Sequence, residues 1–485
     1  MNPDTLLLHP ADDVAVLKRE HHGIPAGHKI ARHHIPAGAA VRKYGQIIGF
    51  ATAPIVAGTH VHSHNLAVKD FARDYAFGAD AKPVVPASEP RFFDGYLRAD
   101  GRAGTRNYLA VIASVNCSAS VSKFVAEHFR DVTRSFPNVD GVLAFTHKSG
   151  CCVQPGEPAR VLQRTIAGMA THPNIGGCVL IGLGCETNQI EFIVRDFQLR
   201  APVTMNIQQV GGVRKTVEAG VAAVAKLLPA VSAARRCRQP AAKLALAMNC
   251  GGSDGNSGIT ANPALGVASD DLVRQGGISV LAETPEIYGA EHLLTRRAVS
   301  REVGEKLVGI IHWWEKHVAL YGASIDNNPT FGNKAGGLTT IYEKSLGAVA
   351  KGGQSPLAAV VGYAEQLTTP GFCFMDTPGL DPVSMTGLIA GGCNIGAFTT
   401  GRGSVSGWKP APCLKIATNT LMYRHLEEDM DLNAGTILDG TETVAQVGQR
   451  IFDKLLAVAG GEQTKSEAQG LGDEEFAPWI LGPTL

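Results

Sequence analysis

Four cysteines occupy the same kind of position in this chain, because each follows an apolar run and precedes glycine or polar turn residues. They are Cys117, Cys151, Cys185 and Cys250. A short apolar run bounded by turn residues predicts a buried strand. Because the carboxyl ends of parallel strands meet at one edge of a sheet, where ligands bind, we expect the four thiols to converge there.

Titratable side chains beside these cysteines extend the set. His147 lies four residues before Cys151, and Glu186 directly follows Cys185. Thiolate, imidazole and carboxylate groups together suit zinc, iron or manganese. The sequence therefore predicts a metal site with ligands drawn from Cys117, His147, Cys151, Cys185, Glu186 and Cys250. No C-x-x-C pair fixes a geometry, so buried and inert thiols are the alternative.

The stretch that follows Cys250 combines glycines with polar side chains. Glycines at 251, 252 and 255 let the backbone approach a bound group closely, and Ser253 and Asp254 lie between them. We predict that Asp254 does acid or base chemistry and that Ser253 contacts substrate. A tight structural loop is the alternative.

Histidines concentrate at the start of the chain, where nine of the sixteen lie in the first 64 residues. His60, His62 and His64 alternate with other residues, so on a strand they would share one face and could hold a metal or a carboxylate. A solvated polar face is the alternative. His28 and Lys29 follow a turn, and a desolvated lysine there could act as a base. The catalytic candidates are therefore His28, Lys29, His62, His64 and Asp254.

An anion site is predicted at 399–404, with the sequence TTGRGS. Glycine N–H groups, the Thr400 hydroxyl and the Arg402 guanidinium can together hold a carboxylate or phosphate. Asn333 and Lys334 are further substrate-binding candidates. The chain has no P-loop, dinucleotide or G-x-S-x-G motif, which argues against nucleotide hydrolysis and serine esterase chemistry.

The elements that would position these groups change in character along the chain. Residues 1–70 repeat a short turn (IPAG, IPAG, IVAG) before β-like runs, which predicts a small all-β domain. Residues 71–91 form a proline-rich linker. From 92 onward strands alternate with helical patterns, which predicts two α/β domains with mainly parallel sheets, at 92–236 and, Rossmann-like, at 237–485. The stretch 229–240 predicts a linker between them.

Composition excludes several classes of function. The 44 basic and 44 acidic residues balance, whereas a nucleic acid or anionic membrane partner demands a basic surface. No apolar run reaches the length of a membrane span, and the first residues lack the pattern of a signal peptide. Ten irregularly spaced cysteines do not resemble a disulfide framework. We expect a cytoplasmic protein with a small-molecule partner.

Several long motifs resemble one known family. They include HVHSHN, HKSGC, IGLGCE, CGGSDGNSGITANPALG, ETPEIYGAE, GNKAGG, FTTGRGS and DMDLNAG. The chain resembles the altronate/galactarate dehydratases over nearly its whole length, and its first domain is similar to their β-clip SAF domain. The resemblance implies dehydration of a sugar acid to a 2-keto-3-deoxy product with a divalent metal, Fe²⁺ or Mn²⁺, in a homodimer. The HVHSHN run looks like the altronate type.

Alternatives remain within and outside this family. The substrate could be galactarate, or the chain could be a sulfolactate sulfo-lyase of the same family. A dehydratase with an iron–sulfur cluster on three of the four cysteines is a further possibility, and so is a regulatory protein that binds sugar acids. In the interpretation we favour, metal lies on the Cys/His edge, the substrate carboxylate near Arg402, and acid/base chemistry on the His62/His64 face.

Overall fold

The N-terminal domain is built from seven short strands. The structure is a computed structural model that describes residues 4–200 and 202–482. The strands are β1 (Thr5–Leu6), β2 (Val14–Leu17), β3 (Lys29–Ala31), β4 (Ala40–Lys43), β5 (Gln46–Ala51), β6 (His60–Val61) and β7 (Leu66–Ala67). They pair antiparallel in two sheets, β1-β2-β3-β6 and β4-β5-β7. Val41, Ile48 and Val61 are fully buried in its core. The predicted small all-β domain is confirmed.

The segment 68–91, which follows this domain, contains no helix or strand. It is nevertheless tied to the C-terminal domain along its length. The backbone oxygen of Tyr75 accepts a hydrogen bond from the Thr295 hydroxyl at 2.8 Å, and the Ala87 amide donates to the Arg274 carbonyl at 2.9 Å. The segment therefore connects the domains as an extended strap.

The middle domain is a parallel α/β unit. Its strands are β8 (Phe92–Leu97), β9 (Ala103–Gly104), β10 (Tyr108–Ala113), β11 (Gly141–Phe145), β12 (Ile175–Gly182) and β13 (Val203–Asn206). Its helices are α1 (Ala119–Glu127), α2 (Val132–Ser135), α3 (Glu157–Ala170), α4 (Ile190–Asp196), α5 (Ile207–Val210) and α6 (Val213–Ala233). The main sheet has the order β11-β10-β12-β13, all parallel, and every residue of β10 is buried.

The junction predicted as a linker at 229–240 is regular structure, so that prediction is wrong. Pro229 lies inside α6, and β14 (Arg236–Pro240) pairs antiparallel with β8 in a small sheet of order β14-β8-β9. Two arginines of this strand stack on aromatic rings, Arg236 on Tyr96 and Arg238 on Phe92, with the Arg238 guanidinium 3.7 Å from the Phe92 ring centre. This stacking explains why a basic run forms a strand.

Helix α6 is long and apolar enough to match a membrane span by length and composition alone, which is weak evidence for one. Its buried residues include Thr216, Gly220, Val224 and Leu228, spaced four apart on one face. That face packs on α1 and on the middle sheet. The spacing is the one expected for an amphipathic helix that covers a sheet.

The C-terminal domain is built on a seven-stranded parallel sheet. Its strands are β15 (Ala245–Cys250), β16 (Ile278–Leu281), β17 (Leu357–Val361), β18 (Gly371–Met375), β19 (Ile395–Thr400), β20 (Cys413–Ala417) and β21 (Leu432–Asn433). Its helices are α7 (Ala261–Arg274), α8 (His292–Thr295), α9 (Arg301–Ala319), α10 (Phe331–Ala335), α11 (Ile341–Val349), α12 (Asp381–Ala390), α13 (Thr420–His425), α14 (Val444–Ala459) and α15 (Lys465–Ala468). The predicted fold class is therefore confirmed.

The strand order of this sheet identifies where a ligand site is expected. The order is β17-β18-β16-β15-β19-β20-β21, so the chain leaves β15 toward β16 on one side and later returns to β19 on the other. The carboxyl end of β15 is thus a topological switch point, the usual position of the ligand crevice in an open α/β sheet. Cys250 is the last residue of β15.

Candidate functional site

Three acidic or thiol side chains meet at this switch point. Cys250 ends β15, and the neighbouring strand β16 leads into Glu283 and Glu286, which lie at a short 3₁₀ turn. One ligand atom from each of these three residues lies within 4.8 Å of the others, and all three side chains are buried. We call Cys250, Glu283 and Glu286 the buried triad.

Two lysines pair with the side chains of the buried triad. The Lys351 Nζ lies 2.9 Å from the Cys250 Sγ and 3.3 Å from a Glu283 oxygen. The Lys344 Nζ lies 2.6 Å from a Glu286 oxygen, which also accepts a hydrogen bond from the Asn328 amide at 2.7 Å. Buried charges persist only when they are paired in this way.

Burial raises the pKa values of three acids at this site, Cys250, Glu283 and Asp381. It raises the pKa of Cys250 to about 11, and together with the charge of Glu286 it raises the pKa of Glu283 to about 8. Asp381, at the start of α12, lies beside Gly251, and burial and Glu286 raise its pKa to about 6. Acids whose pKa values fall near 7 inside a crevice are typical of catalytic sites.

The buried triad fits a divalent cation. One carboxylate oxygen of Glu283 is buried without a hydrogen-bond partner among the described residues. The same residue holds a left-handed backbone conformation (φ 66°), a strain that tends to occur at functional sites. One sulfur and two carboxylates form a mixed donor set that suits Fe²⁺, Mn²⁺ or Zn²⁺. Binding of a cation would favour loss of the Cys250 and Glu283 protons, so that the thiolate and the carboxylates could serve as its ligands.

Asp254 is held inside a neighbouring loop. Its carboxylate accepts hydrogen bonds from the Ser257 hydroxyl at 3.0 Å, the Thr418 hydroxyl at 3.0 Å and the Asn256 amide at 3.1 Å. Burial raises its pKa. A Cβ at Gly401 would lie 2.2 Å from the Asp254 carboxyl carbon, so only glycine fits there. These contacts give Asp254 a role in shaping the loop between Gly251 and Gly255.

The small domain docks on α11 through buried charges. Lys29 and Lys43 both pair with Glu343 of α11, at 2.8 and 2.9 Å. Burial lowers the pKa of Lys29 to about 8, although Glu343 opposes the shift. The Lys29 Nζ also donates to the Gly337 carbonyl at 2.8 Å. Lys29, predicted as a base, therefore lies in a structural ion pair between domains.

The predicted histidines do come together, and His28 joins them. The His28 Nδ1 lies 3.0 Å from the His60 Nε2. The centre of the His60 ring lies 5.0 Å from the centre of the His62 ring and 5.6 Å from that of the His64 ring. His28 and His62 contact the backbone oxygens of residues 335 and 334. Burial, followed by the charges of neighbouring histidines, lowers the pKa of His60 to about 4. Burial also lowers the pKa values of His28 and His62, which favours the neutral form of these imidazoles.

The predicted substrate-binding residues differ in burial and in their hydrogen-bond partners. The Ser253 hydroxyl is buried and has no partner among the described residues. Asn333 caps α10 and donates to the Ser253 carbonyl at 2.8 Å, and the Lys334 backbone binds His62. The Thr400 hydroxyl accepts from the Gly403 amide at 2.9 Å. Arg402 is exposed, and its backbone amide bonds to Gly252 at 2.9 Å.

The other three predicted thiols lie on a different sheet. Cys117, Cys151 and Cys185 follow β10, β11 and β12 of the middle domain, whereas Cys250 ends a strand of the C-terminal domain. The expectation that all four share one edge is therefore wrong, because the chain builds two separate parallel sheets. Both nitrogens of His147 and both oxygens of Glu186 are occupied by hydrogen bonds within the protein.

Sequence reasoning missed most of the charged side chains around Cys250. Glu283, Glu286, Lys344, Lys351 and Asp381 carry no motif with an obvious mechanism. A signal was present for the first two, since Glu283 directly follows the apolar run at 278–282 and Glu286 lies three residues further on. We searched the sequence for cysteines that follow apolar runs. The same search would have found the two glutamates if it had also included carboxylates.

A small cavity joins these groups. It is lined by Tyr44 of the small domain, by Cys250, Ser253 and Asp254, and by Lys344. Its volume is about 240 Å³, even with its mouth included. Small-molecule sites usually measure roughly 300–1,000 Å³. The cavity is therefore smaller than a usual small-molecule site.

Fold and site together define a three-domain α/β protein with a buried, enzyme-like cluster of acids and a capping β-domain. Residues 241–484 match the family model described as D-galactarate/altronate dehydratase, C-terminal. Residues 95–232 match the second domain of D-galactarate dehydratase/altronate hydrolase, and residues 19–69 match the altronate/galactarate dehydratase SAF domain. The chain belongs to the altronate/galactarate dehydratase family, a family of hydro-lyases, as its motifs predict.

Full-length relatives agree with this assignment. The chain is 36% identical to the altronate dehydratase of Bacillus subtilis (strain 168), over 95% of this chain and 92% of that protein. It is 35% identical to the altronate dehydratase of Escherichia coli (strain K12), with the same coverage. It is 36% identical to the galactarate dehydratase (L-threo-forming) of the same strain, over 93% of this chain and 89% of that one.

Proposed function

We propose that this chain catalyses the metal-dependent dehydration of a sugar acid, an aldonate such as D-altronate, to a 2-keto-3-deoxy sugar acid. The observation that carries the proposal is the buried triad at the switch point of the C-terminal sheet, within 4.8 Å and flanked by two lysines. The full-length similarity to enzymes named altronate dehydratase supports the choice of reaction. All ten cysteines are free, which agrees with a reducing compartment such as the cytoplasm.

Dehydration of such a substrate requires three catalytic functions. A base must remove the proton at C2, the resulting charge on the carboxylate must be stabilised, and an acid must protonate the hydroxyl that leaves C3 as water. The enol that remains then tautomerises to the 2-keto-3-deoxy product. The chemistry that a bound Fe²⁺ or Mn²⁺ supplies is Lewis-acid stabilisation of the charge that develops on the substrate carboxylate.

In this chain the C-terminal domain would stabilise the negative charge, and the small domain would supply the acid and the base. The buried triad would hold the metal, and the ammonium groups of Lys344 and Lys351 add positive charge beside it. The exposed Arg402 guanidinium can pair with a carboxylate at the mouth of the site. His62 and His64, presented by the small domain, carry out the proton transfers. Asp254, which accepts a hydrogen bond from Thr418, fixes the loop between Gly251 and Gly255.

Substrate entry requires the site to open, since the cavity is smaller than a usual small-molecule site. The small domain contributes Tyr44 to the cavity wall and is followed by the strap 68–91. Movement of this domain on the strap would admit substrate, and its return would exclude water. Excluding water strengthens the electrostatic interactions on which the reaction depends.

The test is a product assay with reduced, anaerobic protein. We expect D-altronate to give a 2-keto-3-deoxy acid when Fe²⁺ or Mn²⁺ is added, at least about tenfold faster than galactarate. The double change His62→Ala/His64→Ala should abolish turnover, whereas His33→Ala/His34→Ala, on the exposed side of the same domain, should leave it unchanged.

Three results would count against the proposal. If no aldonate or aldarate yields a keto acid, the reaction is wrong. If galactarate is the faster substrate, the reaction stands and the aldonate assignment falls. If the His62/His64 double variant retains near-normal turnover, proton transfer belongs to other residues, and Asp381 becomes the leading candidate because its pKa is about 6.

A further inference from the structure

The tip of a hairpin in the small domain reaches the cavity beside the buried triad. We propose that Tyr44, at this tip, contacts the substrate and that its hydroxyl donates a hydrogen bond to a hydroxyl group of the sugar acid beyond C3. The inference rests on the proposed dehydration, and it adds a residue that selects for a polyhydroxy chain. The acid and the base of the reaction stay as proposed above.

Tyr44 occupies a backbone position that disfavours a large side chain. Strands β4 and β5 pair Lys43 with Gln46, so Tyr44 and Gly45 form a two-residue turn. Both residues have a positive φ, 61° and 72°, as a type I′ turn requires. Asparagine, aspartate and glycine are the usual residues in such turns, and a bulky side chain there is a backbone outlier. Strain of this kind tends to occur at functional sites.

The turn is held in place by contacts with both domains. The Gly45 amide donates to the buried Asp12 carboxylate at 2.7 Å, within the small domain. Lys43, directly before Tyr44, pairs with the buried Glu343 of α11 at 2.9 Å. The first contact fixes the turn on its own domain, and the second holds that domain against the C-terminal domain. The Tyr44 side chain is therefore positioned before substrate binds.

Tyr44 lines the same cavity as the buried triad. Cys250 of the triad lines this cavity, and so does Lys344, whose ammonium lies 2.6 Å from a Glu286 oxygen. Among the described residues of the cavity wall, Tyr44 alone belongs to the small domain. Docking of the small domain therefore brings this one side chain to the cavity that the triad borders.

Two glycines make room for the Tyr44 hydroxyl. A Cβ at Gly258 would lie 2.6 Å from the Tyr44 Oη and 2.8 Å from the Cα of Gly347 on α11. Gly258 belongs to the glycine-rich stretch that follows Cys250. The closest approach is to the oxygen, so this stretch accommodates the hydroxyl and not only the ring.

Two hydroxyls on the cavity wall can bind a further polar group. The Ser253 hydroxyl is buried and has no partner among the described residues, a condition that a bound polar group corrects. Burial raises the pKa of Tyr44, although the charge of Lys43 opposes the shift. The phenol therefore keeps its proton near neutral pH and can donate a hydrogen bond. A substrate hydroxyl both accepts and donates, so it matches these two groups.

The chemistry of the substrate determines which hydroxyl this is. The carboxylate and C2 lie with the metal and the base, and the C3 hydroxyl leaves as water. An aldonate such as D-altronate keeps hydroxyls at C4, C5 and C6. A site built to bind a substrate hydroxyl rejects an analogue that lacks it, because polar groups of the site are then left unpaired. Tyr44 is therefore a residue that selects polyhydroxy acids over deoxy acids.

The test compares Tyr44→Phe with the unchanged full-length, metal-loaded protein on D-altronate and on its 4-, 5- and 6-deoxy derivatives. With D-altronate, Tyr44→Phe should lower kcat/KM at least about tenfold, the effect of losing one hydrogen bond. With one of the three deoxy compounds, the unchanged protein should already show this loss, and Tyr44→Phe should add less than about threefold. Tyr321→Phe makes the same change at an exposed tyrosine and should leave all four rates unchanged.

The inference is overturned if Tyr44→Phe stays within about threefold of the unchanged protein on D-altronate. It is also overturned if Tyr44→Phe causes the same loss on D-altronate and on all three deoxy compounds, since that pattern indicates a structural role for the hydroxyl. Both results leave the proposed function standing, because the unchanged protein is then active. If the unchanged protein forms no keto acid from D-altronate, the proposed function falls and this inference falls with it.

Discussion

Removing the carboxylate of Glu343 is expected to undock the small domain. Glu343 is fully buried between Lys29 and Lys43, and it also accepts hydrogen bonds from the Thr339 amide and hydroxyl at 2.9 and 2.6 Å. Burial alone would raise the pKa of Glu343, but the two lysines outweigh it and hold it well below its usual range. The change Glu343→Gln keeps the shape of the side chain and leaves two buried ammonium groups without a counter-charge.

The size of the effect follows from that imbalance. Breaking a buried ion pair by removing one partner costs about 3–5 kcal/mol. Because about 1.4 kcal/mol is a factor of ten, the population with the small domain undocked should rise at least about a hundredfold. Glu305→Gln makes the same substitution in the exposed Arg301–Glu305 pair of α9, and it should cost less than about 0.5 kcal/mol.

Hydrogen exchange of peptides that cover β3 and β4 measures this opening directly. The double variant Glu343→Gln/Lys43→Met should recover much of the lost protection, because it leaves a single buried lysine that can give up its proton. Exchange in Glu343→Gln that stays within about threefold of the unchanged protein would refute the reasoning. A double variant that is worse than both single variants combined would refute it as well.

Two further substitutions test buried positions at other contacts. His172 donates a hydrogen bond to the Cys393 carbonyl at 3.0 Å, and burial lowers its pKa to about 3. In the unfolded chain the same imidazole is protonated below about pH 6.5. The folded state therefore loses up to about 1.4 kcal/mol per pH unit as pH falls from 6.5 toward 3, and His172→Gln should flatten the fall of Tm over that range; an unchanged slope would contradict this. Gly401→Ala should displace the buried Asp254 carboxylate, so it should lower Tm and reduce turnover at least about tenfold in the protein that remains folded, whereas Gly309→Ala, where a Cβ meets nothing within 4 Å, should leave turnover unchanged. Full activity in Gly401→Ala would remove Asp254 from the site.

The architecture could be predicted because its signals are local. Apolar runs such as 108–115 and 244–248 are bounded by turn residues, and they became β10 and β15. The turn repeats before residue 60 likewise marked the small all-β domain. The linker predicted at 229–240 failed because arginine stacking on aromatic rings depends on tertiary contacts, which no local pattern encodes.

The site could be predicted only in part, for the same reason. Cys250 was found because a thiol at a strand end is rare, whereas Lys344 and Lys351 lie on and after α11, about 100 residues further along the chain. Only the packing of α11 on the 3₁₀ turn at Thr284–Ile287, and of the turn at Ala350–Gly352 on α7 and β16, makes them neighbours of the thiol. The separation of the three middle-domain thiols from Cys250 has the same origin, since the sequence does not state which strands share a sheet.

The most direct test of the account is the affinity for Mn²⁺ at the buried triad, read from the paramagnetic resonance of free Mn²⁺ during titration. Glu286→Gln removes one ligand charge, while Glu305→Gln makes the same change on an exposed surface. The account predicts that Glu286→Gln weakens Mn²⁺ binding at least about a hundredfold and that Glu305→Gln does not change it. Equal affinity in the unchanged protein and in Glu286→Gln would contradict the assignment of the metal to the buried triad.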